Sequence, residues 1–148
     1  MAKIDLAQTP KYLEKDIELF GRIDVRRDHG KLIFFDLSDR SGKVQLVVTP
    51  ADNELHVLAE KLRPGWVVKV KGKIVSRPEA MKNPKEPTGE VEVKVSEIEI
   101  LAKSKTPPFD LSGDGYGIGE DNRMEYRYLD LRRPRLQKNL RERAKIIK

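Results

Sequence analysis

Apolar residues recur along the chain in two periods, and the change between them marks the elements. Over residues 16–28, Ile17, Leu19, Ile23 and Val25 alternate with Glu18, Arg22, Asp24 and Arg26. This period of two predicts a long half-buried strand. The turn Asp28-His29-Gly30-Lys31 leads into a second strand over 32–38, and Asp39-Arg40-Ser41-Gly42 into a third over 43–49. From Ala51 to Leu62 the period changes, because Leu55, Leu58, Ala59 and Leu62 share one helical face before Pro64-Gly65 ends the run. Strand character returns over 66–77 and 90–100, separated by the Pro- and Lys-bearing stretch 78–89. In the last strand Val91, Val93 and Val95 alternate, but the next apolar pair is Ile98 and Ile100. A phase slip of one residue predicts a β-bulge there.

Three strands, a helix and two strands is the element order of a five-stranded OB-fold barrel, so the chain reads as mainly β. The barrel is expected over residues 1–102. A linker is expected over 103–122, where Pro107-Pro108 precede Gly113, Gly115, Gly117 and Gly119. Residues 123–148 read as a helical hinge segment, with Leu136, Leu140, Ala144 and Ile147 at helical spacing after Pro134. That apolar stripe lacks a partner within the sequence, so the expectation is a longer natural protein.

Charge changes this picture only at one end. The net charge is +6, and residues 121–148 alone carry 10 Lys and Arg against 4 Asp and Glu. The first 120 residues therefore carry 20 of each sign and balance, and nucleic-acid affinity in the barrel must come from where charges sit. Zero cysteines and two separated histidines argue against a disulfide or a zinc site. No apolar run approaches a membrane span and no secretory leader opens the chain, so a cytoplasmic protein is the default. Paired catalytic carboxylates, a nucleophile with its base and a phosphate-cradling glycine motif are all missing from the sequence. No catalytic residue is expected in this segment.

OB-folds take unpaired bases on aromatic rings of the second and third strands. Ile33, Phe35 and Leu37 alternate with Phe34 and Asp36. A carboxylate is costly in an apolar core, so Phe34 and Asp36 should face outward. The same parity puts Gln45 outside on the third strand and Glu92 outside on the fifth. An exposed Phe34 beside Gln45, Glu92, Arg26 and Arg27 is equipment for stacking one base and reading edges. Two readings of Phe34 stay open on pattern alone, a platform for a base or a cover for a barrel end.

The segments Arg26–Leu37, Asp39–Gln45 and Thr88–Val93 closely resemble the anticodon-binding domain of bacterial-type aspartyl-tRNA synthetases, which are class II enzymes. Thr106-Pro107-Pro108-Phe109 and the run Tyr126–Pro134, YRYLDLRRP, resemble that family's hinge into its catalytic domain. The resemblance runs from about Leu19 to Lys148, and lysyl enzymes usually lack the Arg-Arg-Pro ending.

What the resemblance implies is residue-specific. Phe34 matches the ring that stacks on the central anticodon uridine, and Gln45 the side chain that hydrogen-bonds it. Arg27 matches a reader near the third anticodon base. Glu92, Arg77 and Asn83 match contacts from the far strands and loop, and Met81 departs from the asparagine of some relatives. His29 matches enzymes that charge both tRNA-Asp and tRNA-Asn, and small Ala80 fits that relaxed reading. The full-length enzyme would be a homodimer using ATP and Mg²⁺ to attach aspartate to tRNA, while this segment itself binds no cofactor. Two other readings remain: a free-standing OB-fold single-strand binder, and a protein-interaction barrel.

Overall fold

The computed structural model describes residues 4–111 and 113–147. These divide into two compact units, Met1–Thr106 and Pro107–Lys148.

In the first unit, β1 (Asp16–His29), β2 (Leu32–Ser38), β3 (Lys43–Val48), β4 (Val67–Ser76) and β5 (Val91–Ala102) close into a barrel. The order around it is β1-β2-β3-β5-β4, with β4 pairing back onto β1. All neighbours are antiparallel except β3 and β5. This is the predicted OB-fold, and each strand lies within two residues of its expected bounds.

The core is the inward parity of each strand. Ile17, Leu19, Ile23, Phe35, Leu37, Leu46, Val70, Ile74 and Val93 are buried together in one cluster. Helix α1 (Asn53–Lys61) closes one end with Leu55 and Ala59. It starts where Asp52 Oδ1 accepts from the Leu55 amide at 3.0 Å, satisfying one of the free N–H groups of the first turn. A 3₁₀ segment, Leu6–Tyr12, adds buried Leu6 to the core. Asp39 holds this segment and the β2–β3 turn together, accepting from the amides of Leu6, Ser41 and Gly42.

Of the three register shifts in the barrel, one leaving Leu101 unpaired at the end of β5, two bear on the sequence pattern. In the β4–β5 ladder Lys71 pairs with Glu97 and Gly72 with Val95, so Ser96 is the extra residue. This is where the apolar phase slips between Val95 and Ile98. The second bulge is not visible in the pattern. Ile23 pairs with Leu37 but Val25 with Asp36, so Asp24 is the extra residue of β1. Beyond it the parity of β1 reverses, and Val25 leaves the face it was expected to share with Ile23.

The second unit contains α2 (Glu120–Glu125), α3 (Arg127–Asp130) and α4 (Pro134–Ile147). Its centre is a buried ionic cluster. Asp130 is 0% exposed and Arg133 1%. Asp130 accepts from Arg133 Nε at 2.8 Å, from Arg123 at 3.1 Å and from Arg127 at 3.3 Å. Arg133 also donates to the carbonyls of Asp110 and Gly113, and its guanidinium lies 5.5 Å from the Phe109 ring centre. Every partner lies within the Pro-Gly stretch or the hinge run, so the segment expected to be a linker is tied down. Helix α4 buries none of its described side chains. No helix among the described residues is long and apolar enough to cross a membrane.

Candidate nucleic-acid interface

The outer surface of β1, β2, β3 and β5 carries two cross-strand rows. One runs Val25, Asp36, Gln45, Glu92, each paired with the next across its ladder. The other runs Arg27, Phe34, Val47, Lys94. Neighbouring strands lie about 4.8 Å apart, so each row places its four side chains side by side.

The first row forms a hydrogen-bonded chain. Gln45 Nε2 donates to Glu92 Oε2 at 3.0 Å. Arg27, reaching over from the second row, donates from Nη2 to Asp36 Oδ1 at 2.5 Å and to Gln45 Oε1 at 3.4 Å. The structure thus brings together Arg27, Phe34, Gln45 and Glu92, and it adds Asp36, read in the sequence only as a marker of the outward face. Period-two parity already placed Asp36 beside Phe34. What it lacked was the register that sets Arg27 against it.

Phe34 lies outside the core cluster, as its parity required, while Phe35 is inside it. It is nevertheless only 7% exposed, so the expectation of an open ring is corrected. The cause is local cover. The His29 ring meets Phe34 edge-on at 5.7 Å, and Val47, its partner across β3, is buried as well. A base stacking on Phe34 must displace part of that cover.

The other expected site residues are placed elsewhere. Arg26 pairs across β2 with inward-facing Phe35, a consequence of the Asp24 bulge. Its guanidinium donates to the Glu60 carbonyl at 2.6 Å and to Asp28, capping the end of α1. Arg77 is buried and its Nε donates to the Val91 carbonyl at 2.9 Å, at the start of β5. Asn83 organises the β4–β5 loop. Its amide donates to the Gly89 carbonyl, and its side chain accepts from the Lys85 amide at 3.1 Å. That loop is pinned to the start of β3 by Thr88, which donates to the Lys43 carbonyl, and by the ion pair Lys43–Glu86. Met81 and Ala80 stand exposed on it.

The lysines on the far side of the barrel are matched with carboxylates: Lys69 with Glu99, Lys71 with Glu97 and Lys73 with Glu14. These pairs neutralise that surface. Among the described residues no group of three His, Cys, Asp or Glu is arranged to hold a metal ion.

Comparison with known proteins agrees with this fold. The tRNA anticodon family model, described as an OB-fold nucleic acid binding domain, matches residues 17–101. The aspartate–tRNA(Asp/Asn) ligase of Protochlamydia amoebophila is 50% identical over 129 residues, covering 86% of this chain and 22% of the relative. That of Syntrophomonas wolfei is 47% identical over 151 residues, covering 97% and 26%. The chain therefore spans about a quarter of the length of these curated relatives or less. Among solved structures, asparaginyl-tRNA synthetase from Pyrococcus horikoshii superposes with a TM-score of 0.72 at 25% identity, over 90% of this chain and 30% of that one. Since the family model takes in more than half of its residues, this chain belongs to the tRNA anticodon-type family of OB-fold nucleic-acid-binding domains.

Proposed function

We propose that this chain binds the anticodon loop of tRNA-Asp, and of tRNA-Asn, as the recognition module of an aspartate–tRNA ligase. The observation that carries the reading is the juxtaposition of Phe34 with the Arg27–Gln45–Glu92 chain on one outer face. An aromatic ring takes the face of any base, and the amide and charged groups beside it read the edge. The relatives named above are tRNA(Asp/Asn) ligases, which supports the relaxed specificity suggested by His29. In such an enzyme ATP and Mg²⁺ would activate aspartate. This segment would anchor the far end of the tRNA, and the protein would work in the cytoplasm as a homodimer.

The test is direct binding of anticodon stem-loops to the 148-residue chain, followed by fluorescence anisotropy. Stem-loops with the aspartate anticodon should bind in preference to the same stem with a scrambled loop. Equal affinity for both, or tighter binding of an unstructured oligonucleotide, would favour a general single-strand binder instead.

A further inference from the structure

We infer that Lys94 on β5 is a phosphate contact, holding the sugar–phosphate backbone beside the nucleotide whose base lies on Phe34. The nucleic-acid interface then reaches across β5 to its seam with β4. The inference adds a residue that reads no base, and it rests on the anticodon reading.

The β4–β5 ladder alternates charge along its outer face. Lys69 lies opposite Glu99 and Lys71 opposite Glu97, and both are joined as ion pairs. The next pair on that face breaks the rule, because Lys73 lies opposite Lys94. The Ser96 bulge is the cause. An unbroken register would set Val95 against Lys73. The extra residue instead pairs Val95 with Gly72, buried, and brings Lys94 out to solvent.

Like charges directly opposite each other destabilise a sheet. Lys73 is relieved by Glu14. Lys94 has no such relief. Glu92, two residues before it on the same face, accepts instead from Gln45 Nε2. Lys43, Lys69, Lys71 and Lys73 all meet carboxylates, so Lys94 alone among the described lysines of β3, β4 and β5 lacks one. An exposed cation kept against an opposing cation calls for an anion from outside the chain.

Its place says which anion. Lys94 ends the row Arg27, Phe34, Val47, Lys94, with Phe34 and Val47 as an apolar floor between two cations. Arg27, at the other end, is already engaged by Asp36. With neighbouring strands about 4.8 Å apart, the strand of Lys94 runs about 10 Å from that of Phe34. A nucleotide spans this gap, its base on the floor and its ribose and phosphate toward β5. An ammonium group is a point charge with three rotatable donors, so it suits a phosphate oxygen whichever base is attached. Lys94 therefore contributes affinity and register without reading sequence.

The experiment titrates the aspartate-anticodon stem-loop at several salt concentrations. Lys94→Gln should lower the slope of log affinity against log salt by about one. Its loss of affinity should thus be about threefold larger at 50 mM than at 200 mM salt. Its preference for the aspartate anticodon over a scrambled loop should equal that of wild type. Its melting temperature should not fall, because a like-charge contact has gone. Lys94→Glu restores the alternation with Lys73, so it should melt higher and bind worse. Stem-loops carrying one uncharged methylphosphonate at a time then locate the contact: at one position the difference between wild type and Lys94→Gln should vanish. An unchanged salt slope in Lys94→Gln, or a difference that persists at every methylphosphonate position, overturns the phosphate contact and leaves the anticodon reading standing. If wild type shows no preference for the aspartate anticodon, the anticodon reading itself fails.

Discussion

Arg26 and Arg27 are consecutive, yet their guanidinium groups serve opposite purposes. Arg26 holds the carbonyl of Glu60 at the end of α1, and Arg27 holds Asp36 on the outer face. The division follows from the bulge at Asp24, which resets which residues of β1 face inward. Arg26→Ala should therefore lower stability by about 1–2 kcal/mol, the worth of charge-assisted hydrogen bonds to carbonyls, with anticodon affinity little changed. Arg27→Ala should do the reverse, costing about 1–3 kcal/mol of binding at nearly constant stability. Chemical denaturation and stem-loop titration of both variants check the pair. Similar losses of affinity in both would return Arg26 to the interface.

The two adjacent phenylalanines give a sharper contrast. Phe35 is 0% exposed within the core, and Phe34 is 7% exposed outside it. Phe35→Ala should destabilise the barrel by about 3–5 kcal/mol, the usual cost of deleting a core ring. Phe34→Ala should cost clearly less, because its cover is His29 and Val47 rather than the closed interior. It should remove about 1–3 kcal/mol of binding, the worth of one stacked base. Equal destabilisation by the two substitutions would mean that Phe34 is a core residue with no platform role.

The bulge at Ser96 depends on Gly72 opposite it. A Cβ added at Gly72 would overlap the Lys94 carbonyl oxygen and press on Val93 Cγ1 at 3.0 Å. Both are held by the β4–β5 ladder, so neither can yield cheaply. Gly72→Ala should cost about 1–3 kcal/mol, as overpacking does. Gly117→Ala, where nothing lies within 4 Å of the added carbon, should stay within about 0.5 kcal/mol. Thermal melts of the two variants read the difference.

The succession of strands along the chain was legible in the sequence because each barrel strand has one wet face and one dry face. The Ser96 bulge was legible too, since Val95 and Ile98 on its two sides are both apolar and their phases can be compared. The Asp24 bulge was not. Past it β1 is nearly all polar, and Val25 is too ambiguous a residue to betray a change of face. The same gap explains why Arg26 was grouped with Arg27, and why Asp36 was not recognised as the group that holds Arg27. The backbone partners of Arg77 and Asn83 were not legible either, because a sequence does not reveal which backbone groups a loop leaves in need of a partner. The Asp130 cluster had a readable trace in Arg127, Asp130 and Arg133 at spacings of three. Spacing alone could not separate a buried knot from a solvated helix face.

That cluster should make the second unit acid-sensitive. Burial pushes the Asp130 carboxyl up, but hydrogen bonds from Arg123 and Arg133 outweigh burial and hold it below its ordinary value of 3.8. Near that pH the unfolded chain binds the proton more readily than the folded one, so lowering the pH favours unfolding. The stabilisation is complete above 3.8 and fades as the pH falls through 3.8 toward the depressed folded value. The near-ultraviolet dichroism of Tyr126, whose ring lies 6.2 Å from Phe109, should report the loss. Asp130→Asn should weaken the same signal already at neutral pH, because it leaves Arg133 buried without its counter-charge. An Asn variant with the wild-type signal and the wild-type acid midpoint would remove Asp130 from this role.

On the proposed anticodon reading, His29 would decide between tRNA-Asp and tRNA-Asn. It ends β1 and lies edge-on against the Phe34 ring at 5.7 Å, next to where the stacked base would sit. The two anticodons differ only in their third base, cytidine against uridine, whose edges exchange a donor for an acceptor at position 4. An imidazole carries one donor and one acceptor nitrogen and can present either, so it tolerates both bases. Leucine keeps the apolar contact with Phe34 but cannot bond an edge, and members of the resembled family that charge only tRNA-Asp often carry leucine there, which sets the expected direction. His29→Leu should leave the barrel stable, reduce affinity for the uridine-ending loop about tenfold and spare the cytidine-ending one, a shift of roughly 1.4 kcal/mol between them. Titration of the two stem-loops against the variant reads this ratio. An equal loss for both would show that His29 merely covers Phe34, and discrimination would then have to come from the exposed loop that carries Ala80 and Met81.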